Sequence, residues 1–381
     1  MKNYDIIIIG AGASGLMAAA QLNRRKKSVL IIDMGDAPAR KVAVSGGSKC
    51  NFTNLAADFT HYFGKNPRFV CSALSQWTPN DTLNWVRTHK IDVYEKEPGR
   101  YFCKNGAEDI VNALLQDARG TNIKYNTTVK DIEKANDKFI IYTTQGEFGA
   151  NAVIVATGGM SYSHLGVSNI GQVIAKKFGH KIEPIRPALC AIKTKSFSSE
   201  LAGISLPVEI TTNKKKIMDD LLFTHFGIGG PAAYRTTLFD GQKIAINFAP
   251  NIDVFELLRD AKTKNGKRLA ANILSEILPN KLARFLCDDT RHIADFRDVE
   301  LKQIAAKVNC FTIEDANAVG MQSAEVTMGG ISTDKISSKT MESKVCTGLY
   351  FTGEVMDITG DLGGYNIQWA FSSGFVAGLN A

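Results

Sequence analysis

Three glycines and one carboxylate carry the first chemistry legible in this chain. Gly10, Gly12 and Gly15 stand in the order G-x-G-x-x-G within Gly10-Ala11-Gly12-Ala13-Ser14-Gly15, and Asp33 lies 23 residues after Gly10. The set suits a dinucleotide. Gly10 makes a tight turn, and Gly12 lets backbone N–H groups, those of Ala13 and Ser14 among them, approach a pyrophosphate. Gly15 allows a helix to pack close to a strand, and the N-terminus of that helix offers partial positive charge to the phosphates. Asp33 stands where a carboxylate accepts hydrogen bonds from ribose hydroxyls.

The elements that must position these residues are present in order. Residues 5–9 form a short apolar run that reads as a strand, 16–22 read as a helix, and 29–32 read as a second strand closed by Asp33. A glycine-rich turn without a ligand needs no such succession. Two later segments extend the site. Residues 152–156 are wholly apolar, as in a strand buried on both faces of a parallel sheet, and they end in Thr157-Gly158-Gly159. Residues 349–352 form another such strand, followed by Gly353-Glu354. A ligand touched by both ends of the chain is long, which favours FAD in an extended pose. No second glycine fingerprint follows a strand, so a separate tight NAD(P) domain is not expected.

A chain of 381 residues exceeds one ordinary core, so two or three domains are expected. No window approaches the ~18 apolar residues of a membrane span. The N-terminal apolar run flows into the fingerprint and is not read as a signal peptide. The expectation is a cytoplasmic protein with no membrane partner. Its seven cysteines are widely spaced without a CxxC pair, and its six histidines are scattered, so no metal is expected. A net charge of +7 permits an anionic partner without demanding one. The run at Lys214, Lys215 and Lys216 reads as a solvated hairpin turn.

Helical spacing covers residues 77–89 and 107–118, with short strands at 93–97 and 99–102 between them. A small antiparallel meander is expected from 123–126, 129–133, 139–143 and 146–148. Residues 190–250 read as strands, 254–308 as mostly helical with a break at Pro279, and 367–379 as a last helix with a face of Ala370, Ser373, Gly374 and Ala377.

At this point the chain resembles the HI0933-like flavoproteins, also described as the aminoacetone-oxidase or BaiN/RdsA type. The matching segments are GAGASG at 10–15, ARKVAVSGGSKCNFTN at 39–54, ATGGMSYSHLGVSNIG at 156–171, LLFTHFGIGGPAA at 221–233, AEVTMGGIS at 324–332 and GLYFTGEVMDITGDLGGYNIQWAFSSGFVAG at 348–378. The resemblance implies an α/β fold: a Rossmann-like FAD-binding domain of the two-dinucleotide-binding-domain flavoprotein type, with an inserted β-rich domain and a small helical domain. The expected boundaries are 1–190 and 326–381 for the two parts of the FAD domain, 191–250 with 309–325 for the β-rich insert, and 251–308 for the helical one.

It also implies the cofactor contacts. Lys41, Ser45, Gly46, Gly47 and Asn51 line one loop against FAD. Gly353, Glu354, Asp357, Gly363, Gly364, Tyr365, Asn366 and Ile367 line another, and Val129, Ala156, Thr157 and Gly158 complete the set. Two departures stand in the first loop: Ser48 and Lys49 replace the family's usual glycine and arginine, and lysine lacks the bidentate geometry of arginine. Ser163 and Leu165 replace a usual proline and threonine.

Flavin chemistry needs few catalytic side chains. Cys50 is a candidate proton donor or a packing residue. His225 is a candidate substrate-binding group or proton donor, and Tyr365 a candidate hydrogen-bonding group. The resemblance implies reduction of an activated C=C bond with NAD(P)H as a transient donor, and uracil in large-subunit ribosomal RNA as the leading substrate, giving dihydrouridine. An aminoacetone-type amine oxidase using O₂, a steroid enone reductase, and a low-turnover flavin-bearing RNA-binding protein remain open beside it.

Overall fold

In the computed structural model, which describes residues 1–239, 241, 243–287 and 290–381, the strand Lys2–Ile9 (β1) is the axis of the first unit. It pairs in parallel with Val29–Ile32 (β2) on one side and with Gly146–Val155 on the other. Asn122–Lys124 joins β2 in parallel, and Leu349–Phe351 joins the end of Gly146–Val155 in parallel. Ile6 to Ile9 are buried because neighbouring strands flank them and helices cover the sheet. The register Ile9↔Ile32 and Ile9↔Val155 brings three carboxyl ends to one edge.

The expected meander is present but built differently. Val129–Ala135, Lys138–Thr143 and the first half of Gly146–Val155 form it. The short strand expected at 146–148 and the buried one at 152–156 are one continuous strand, whose first half pairs antiparallel and whose second half pairs with Leu349–Phe351. The segment expected to start the meander, near 123, instead extends the parallel sheet beside β2.

The helix Ala13–Arg24 (α1) and the C-terminal helix Tyr365–Asn380 are pressed backbone to backbone. A Cβ on Gly374 would lie 2.3 Å from the Ser14 carbonyl oxygen, and one on Gly378 would lie 2.5 Å from that of Ala18. Positions four apart on one helix meet positions four apart on the other in the same order, so the helices run parallel. This is the use of the small-residue face read from the sequence. Gln368, fully buried, fastens the same helix to its surroundings. Its Oε1 accepts from Thr53 Oγ1 (2.6 Å) and Thr82 Oγ1 (2.9 Å), and its Nε2 donates to the Trp77 carbonyl oxygen (3.2 Å).

The units are Met1–Arg186 with Glu325–Ala381, and Pro187–Ala324. The second unit holds an antiparallel sheet in the order Phe311–Ile313, Ile244–Asn247, Ser205–Thr212, Lys215–Thr224, Gly227–Gly229, Ile192–Lys193, Asn317–Ala318. The expected helical domain at 251–308 is not a body of its own. Val254, Leu258, Leu282, Leu301 and Ile304 share one core with Val208, Ile210, Phe223 and Ile246 of the sheet. The expected hairpin turn falls on Asn213 and Lys214, both with positive φ, and Lys216 pairs with Glu209 at 2.9 Å. Among the described residues no helix is long and apolar enough to cross a membrane.

The parallel contact of the two helices gives a prediction. Alanine is favoured over glycine inside a helix by about 1 kcal/mol. Gly374→Ala is nevertheless expected to destabilise the protein by about 1–3 kcal/mol, because the methyl meets unyielding backbone. A thermal melt that rises in this variant would contradict the contact.

Candidate active site

The site is built at the carboxyl edge of the parallel sheet. Gly10 leaves β1 at φ +110°, and a Cβ there would lie 2.3 Å from the Ala156 carbonyl oxygen. Ala156 N–H donates to the Ile9 carbonyl oxygen at 2.8 Å, so the two strand ends are tied where they turn away. A Cβ on Gly15 would meet the Gly10 carbonyl oxygen at 2.1 Å, which is why the helix can start directly over the strand. Gly12, the residue preceding the first helical turn, faces open space and provides no side-chain cap. The first N–H groups of α1, those of Ala13 and Ser14, are thus left for a ligand.

The C-terminal helix repeats this arrangement. Gly364 precedes it at φ +95° without a side-chain cap. A Cβ on Gly364 would lie 2.5 Å from the Thr53 carbonyl oxygen, and one on Gly363 2.5 Å from Arg100 Nε. Since Gly374 lies level with Ser14, the second helix starts about 12 Å before the first along a common direction, eight residues at ~1.5 Å each. Two uncapped helix N-termini at such a spacing are two places that favour negative charge.

Asp33 closes β2 with both carboxylate oxygens engaged. Oδ2 accepts from Ala11 N–H (2.6 Å) and Oδ1 from Gly35 N–H (2.7 Å), with Arg40 Nη2 at 3.9 Å from Oδ1. Thr127 N–H donates to the Asp33 carbonyl oxygen and Asn126 N–H to that of Gly35, which brings buried Val129 in behind them.

Glu354 is the charged centre of the middle of the site. Its Oε2 meets Lys41 Nζ at 2.5 Å, and its Oε1 accepts from Thr327 N–H (2.8 Å) and Ser161 Oγ (3.3 Å). Lys41 also donates to Ser161 Oγ at 2.7 Å. Burial opposes the charge on Glu354, but the Lys41 ammonium and these hydrogen bonds outweigh it and hold the carboxyl below the ordinary glutamate range. Gly159 leaves room for the group, since a Cβ there would lie 2.5 Å from Glu354 Oε1. Asp357 has no such partner. Its carboxylate accepts one N–H, from Lys65 at 2.9 Å, and burial pushes its pKa up.

The loop after Lys41 is bent for close approach. The helix Arg40–Ser48 breaks at Ser45, which is extended, and at Gly46 and Gly47, both left-handed. Gly47 faces open space, whereas a Cβ on Gly46 would lie 2.9 Å from Asn51 N. The Asn51 amide bridges the Tyr101 carbonyl oxygen and Gly364 N–H, each at 3.2 Å. Asn366 is likewise structural: its Oδ1 accepts from Gly360 N–H (2.8 Å) and its Nδ2 donates to the Gly360 carbonyl oxygen (2.9 Å). Half-buried Ile367 follows it in the first helical turn. A Cβ on Gly353 would lie 2.8 Å from Ser14 Oγ.

The three candidates for chemistry fall in different surroundings. Cys50 is fully buried with positive φ. Its thiol shares a hydrogen bond with Cys103, which with burial pushes the Cys103 thiol up. A thiol so enclosed packs; it does not present a proton to a substrate. His225 is exposed in the turn after Lys215–Thr224 of the second unit. Tyr365 is buried in the first turn of the C-terminal helix, its ring stacked on His61 at 4.6 Å. His61 was not singled out by sequence reasoning, nor were Arg40, Ser161, Thr327 and Arg100. Ser161 and Thr327 lie inside the ATGGMSYS and AEVTMGG segments, where their place beside the glycines was the available signal. Arg100, which donates to the Leu362 carbonyl oxygen at 3.1 Å, had none.

The first unit fits an extended dinucleotide. Open space stands over Gly12, Gly47 and Gly158, and the buried Thr157 Oγ1 lacks a hydrogen-bond partner at the same sheet edge. A family model described as the HI0933-like protein Rossmann domain matches residues 4–380. The chain belongs to that family. This HI0933-like protein is 40% identical over 397 residues to a ribosomal RNA dihydrouridine synthase of Haemophilus influenzae, covering 100% of this chain and 99% of the relative. It is 36% identical to the Escherichia coli protein of the same name, covering 98% and 96%. A solved flavocytochrome c3 fumarate reductase superposes with a TM-score of 0.52 at 16% identity, over 100% of this chain and 78% of that one. The fold is therefore of the Rossmann FAD-binding type, and the HI0933-like protein is an FAD-dependent oxidoreductase.

Three variants separate cradle from scaffold. Gly12→Ala, with open space for its methyl, is expected to leave the melting temperature of the apoprotein unchanged while lowering FAD content. Gly10→Ala is expected to destabilise the apoprotein itself. Equal behaviour of the two would refute the assignment. Lys41→Met strands the Glu354 carboxylate and should cost about 3 kcal/mol, more than Glu354→Gln. Because the folded pKa of Glu354 is depressed, its contribution is present above the ordinary glutamate pKa and is lost as pH falls through the depressed value. A pH series of urea melts should show that acid-side loss in the wild type and a reduced one in Glu354→Gln.

Proposed function

We propose that this protein reduces the activated C=C bond of a uracil in large-subunit ribosomal RNA, giving dihydrouridine, in the cytoplasm and with NAD(P)H as the transient electron donor. The observation that supports the reading most is the near end-to-end match to two proteins carrying that name. Dihydrouridine differs from uridine by two hydrogens, so the reaction needs a hydride and a proton. FAD, when bound, supplies the hydride chemistry.

The chain's own part is to hold and to exclude. The uncapped first turn of α1 would hold the pyrophosphate through its N–H groups, and the uncapped start of the C-terminal helix would favour negative charge on the ring system. Glu354, Lys41 and Ser161 keep the middle of the cradle charged and fixed in place. For the proton, His61 is favoured over Cys50. It is half-buried rather than enclosed, and it stacks on Tyr365 beside the loop that begins the C-terminal helix.

Anaerobic NADPH or NADH should bleach the flavin, and the reduced protein should then convert uridine in an unmodified large-subunit transcript. Ribosomal RNA from cells lacking the gene should lose one dihydrouridine by mass spectrometry. Unchanged dihydrouridine in those cells would remove the RNA substrate. Bleaching by aminoacetone but by neither pyridine nucleotide would replace the reductase with an amine oxidase. His61→Ala should lower kcat for uridine reduction at least ~10²-fold, the usual scale of a lost acid, without slowing flavin bleaching.

A further inference from the structure

The first unit carries a second concavity that neither the cradle nor the sequence motifs account for. Segments 66–69 and 333–344 border an open concavity of about 490 Å³ whose wall includes Asn66, Arg68, Asp334, Ser337, Lys339 and Lys344. Its character is polar and cationic. Among the described residues none of the three cationic groups lies within ion-pair distance of a carboxylate. The Arg68 guanidinium lies over the Phe59 ring at 4.2 Å, and Lys344 Nζ donates to the Asp334 carbonyl oxygen at 3.2 Å.

The cations stand on a held loop. Ser337 N–H donates to the Glu342 carbonyl oxygen at 2.8 Å, Ile336 and Ser343 form a bridge, and Gln76 Nε2 donates to the Lys339 carbonyl oxygen at 3.3 Å. A further cation borders the cavity in the chain, where Lys335 precedes Ile336. The buried Glu183 is already occupied by Lys65 at 2.7 Å and Lys181 at 3.1 Å.

Most small-molecule sites are lined chiefly by apolar and aromatic groups. Here the apolar members of the wall, Phe69 and Ile336, are 4% and 1% exposed, and Phe69 sets its ring edgewise against Trp369. No ring face is available on which a nicotinamide or adenine could stack. What remains is three cations against the single carboxylate of Asp334, with serine hydroxyls and an amide, a net positive wall suited to phosphate oxygens without a base. We infer that this cavity receives backbone phosphates of the RNA substrate, at a docking site separate from the flavin cradle. The inference rests on the ribosomal-RNA reading above.

The test is salt-dependent binding of the FAD-loaded protein to an unmodified large-subunit ribosomal RNA transcript. Each phosphate contact to a single strand contributes about 0.7 to the slope of log K against log salt. Combined Arg68→Gln, Lys339→Gln and Lys344→Gln should lower that slope by about 2 and weaken binding at least ~10-fold near physiological salt. Flavin content and melting temperature should be unchanged. Removing the same charge from the second unit with Lys214→Gln, Lys215→Gln and Lys216→Gln should change the slope less.

An unchanged slope in the cavity variant overturns the site while leaving the RNA reading intact. A variant that keeps its RNA affinity but binds NADPH more weakly reassigns the cavity to the donor's phosphates and overturns it too. A wild type without salt-sensitive RNA binding removes the site and the RNA reading together.

Discussion

The parallel, backbone-close packing of the first and last helices is the constraint on which the rest of the site depends. Ser14 against Gly374 and Ala18 against Gly378 fix the two axes together and fix their relative advance along a common direction. Helices in parallel point their N-termini the same way, so their unpaired N–H groups add rather than cancel. An antiparallel pair would have set a carbonyl end beside the second pole. The glycines that permit the contact are therefore functional at one remove: they touch no ligand, but they determine where two anion-favouring ends stand. The chain meets this need with segments from its two extremities, which the parallel sheet brings together by pairing Gly146–Val155 with both β1 and Leu349–Phe351.

Between those poles the electrostatics follow from what each carboxylate is given. Glu354 has an ammonium, a hydroxyl and a backbone N–H, and its charge is favoured in spite of burial. Asp357, three residues on, has one backbone N–H, and burial prevails. Asp33 has two backbone N–H donors and a guanidinium at the outer limit of an ion pair. A partly buried pair such as Lys41–Glu354 adds little net stability compared with an apolar pair, yet breaking it is costly. Its value here lies in fixing geometry: the pair joins residues 313 apart in the chain across the floor of the cradle.

Backbone demands were legible in the sequence, and side-chain contacts made across the fold were not. Gly10 and Gly15 were legible because each answers a steric demand that appears in the structure, whereas Gly12 faces open space. The small-residue face of the last helix was legible for the same reason. Asn51 and Asn366 were expected against the cofactor, but their amides are consumed by Gly364 N–H, Tyr101 O and the Gly360 peptide. Spacing does not show whether an amide faces inward to a loop or outward to a ligand. Arg100 and His61 gave no signal, because their importance arises from tertiary contact with residues more than 250 positions away. The merging of 251–308 with the β-rich insert was hidden too, since amphipathic helices announce that they need a partner without naming it.

That division bears on specificity. Around the two glycine-rich loops, Asn51, Asn54, Arg100 and Asn366 are all committed to carbonyl and N–H groups of the loops themselves. Side chains so committed cannot also discriminate among substrates without loosening the cradle. What can recognise a second substrate is then a group with spare bonding capacity. In the first unit His61 beside Tyr365, and the cations Arg68, Lys339 and Lys344, have that capacity. They are carried by the connection between residues 61 and 69 and by the loop 333–344.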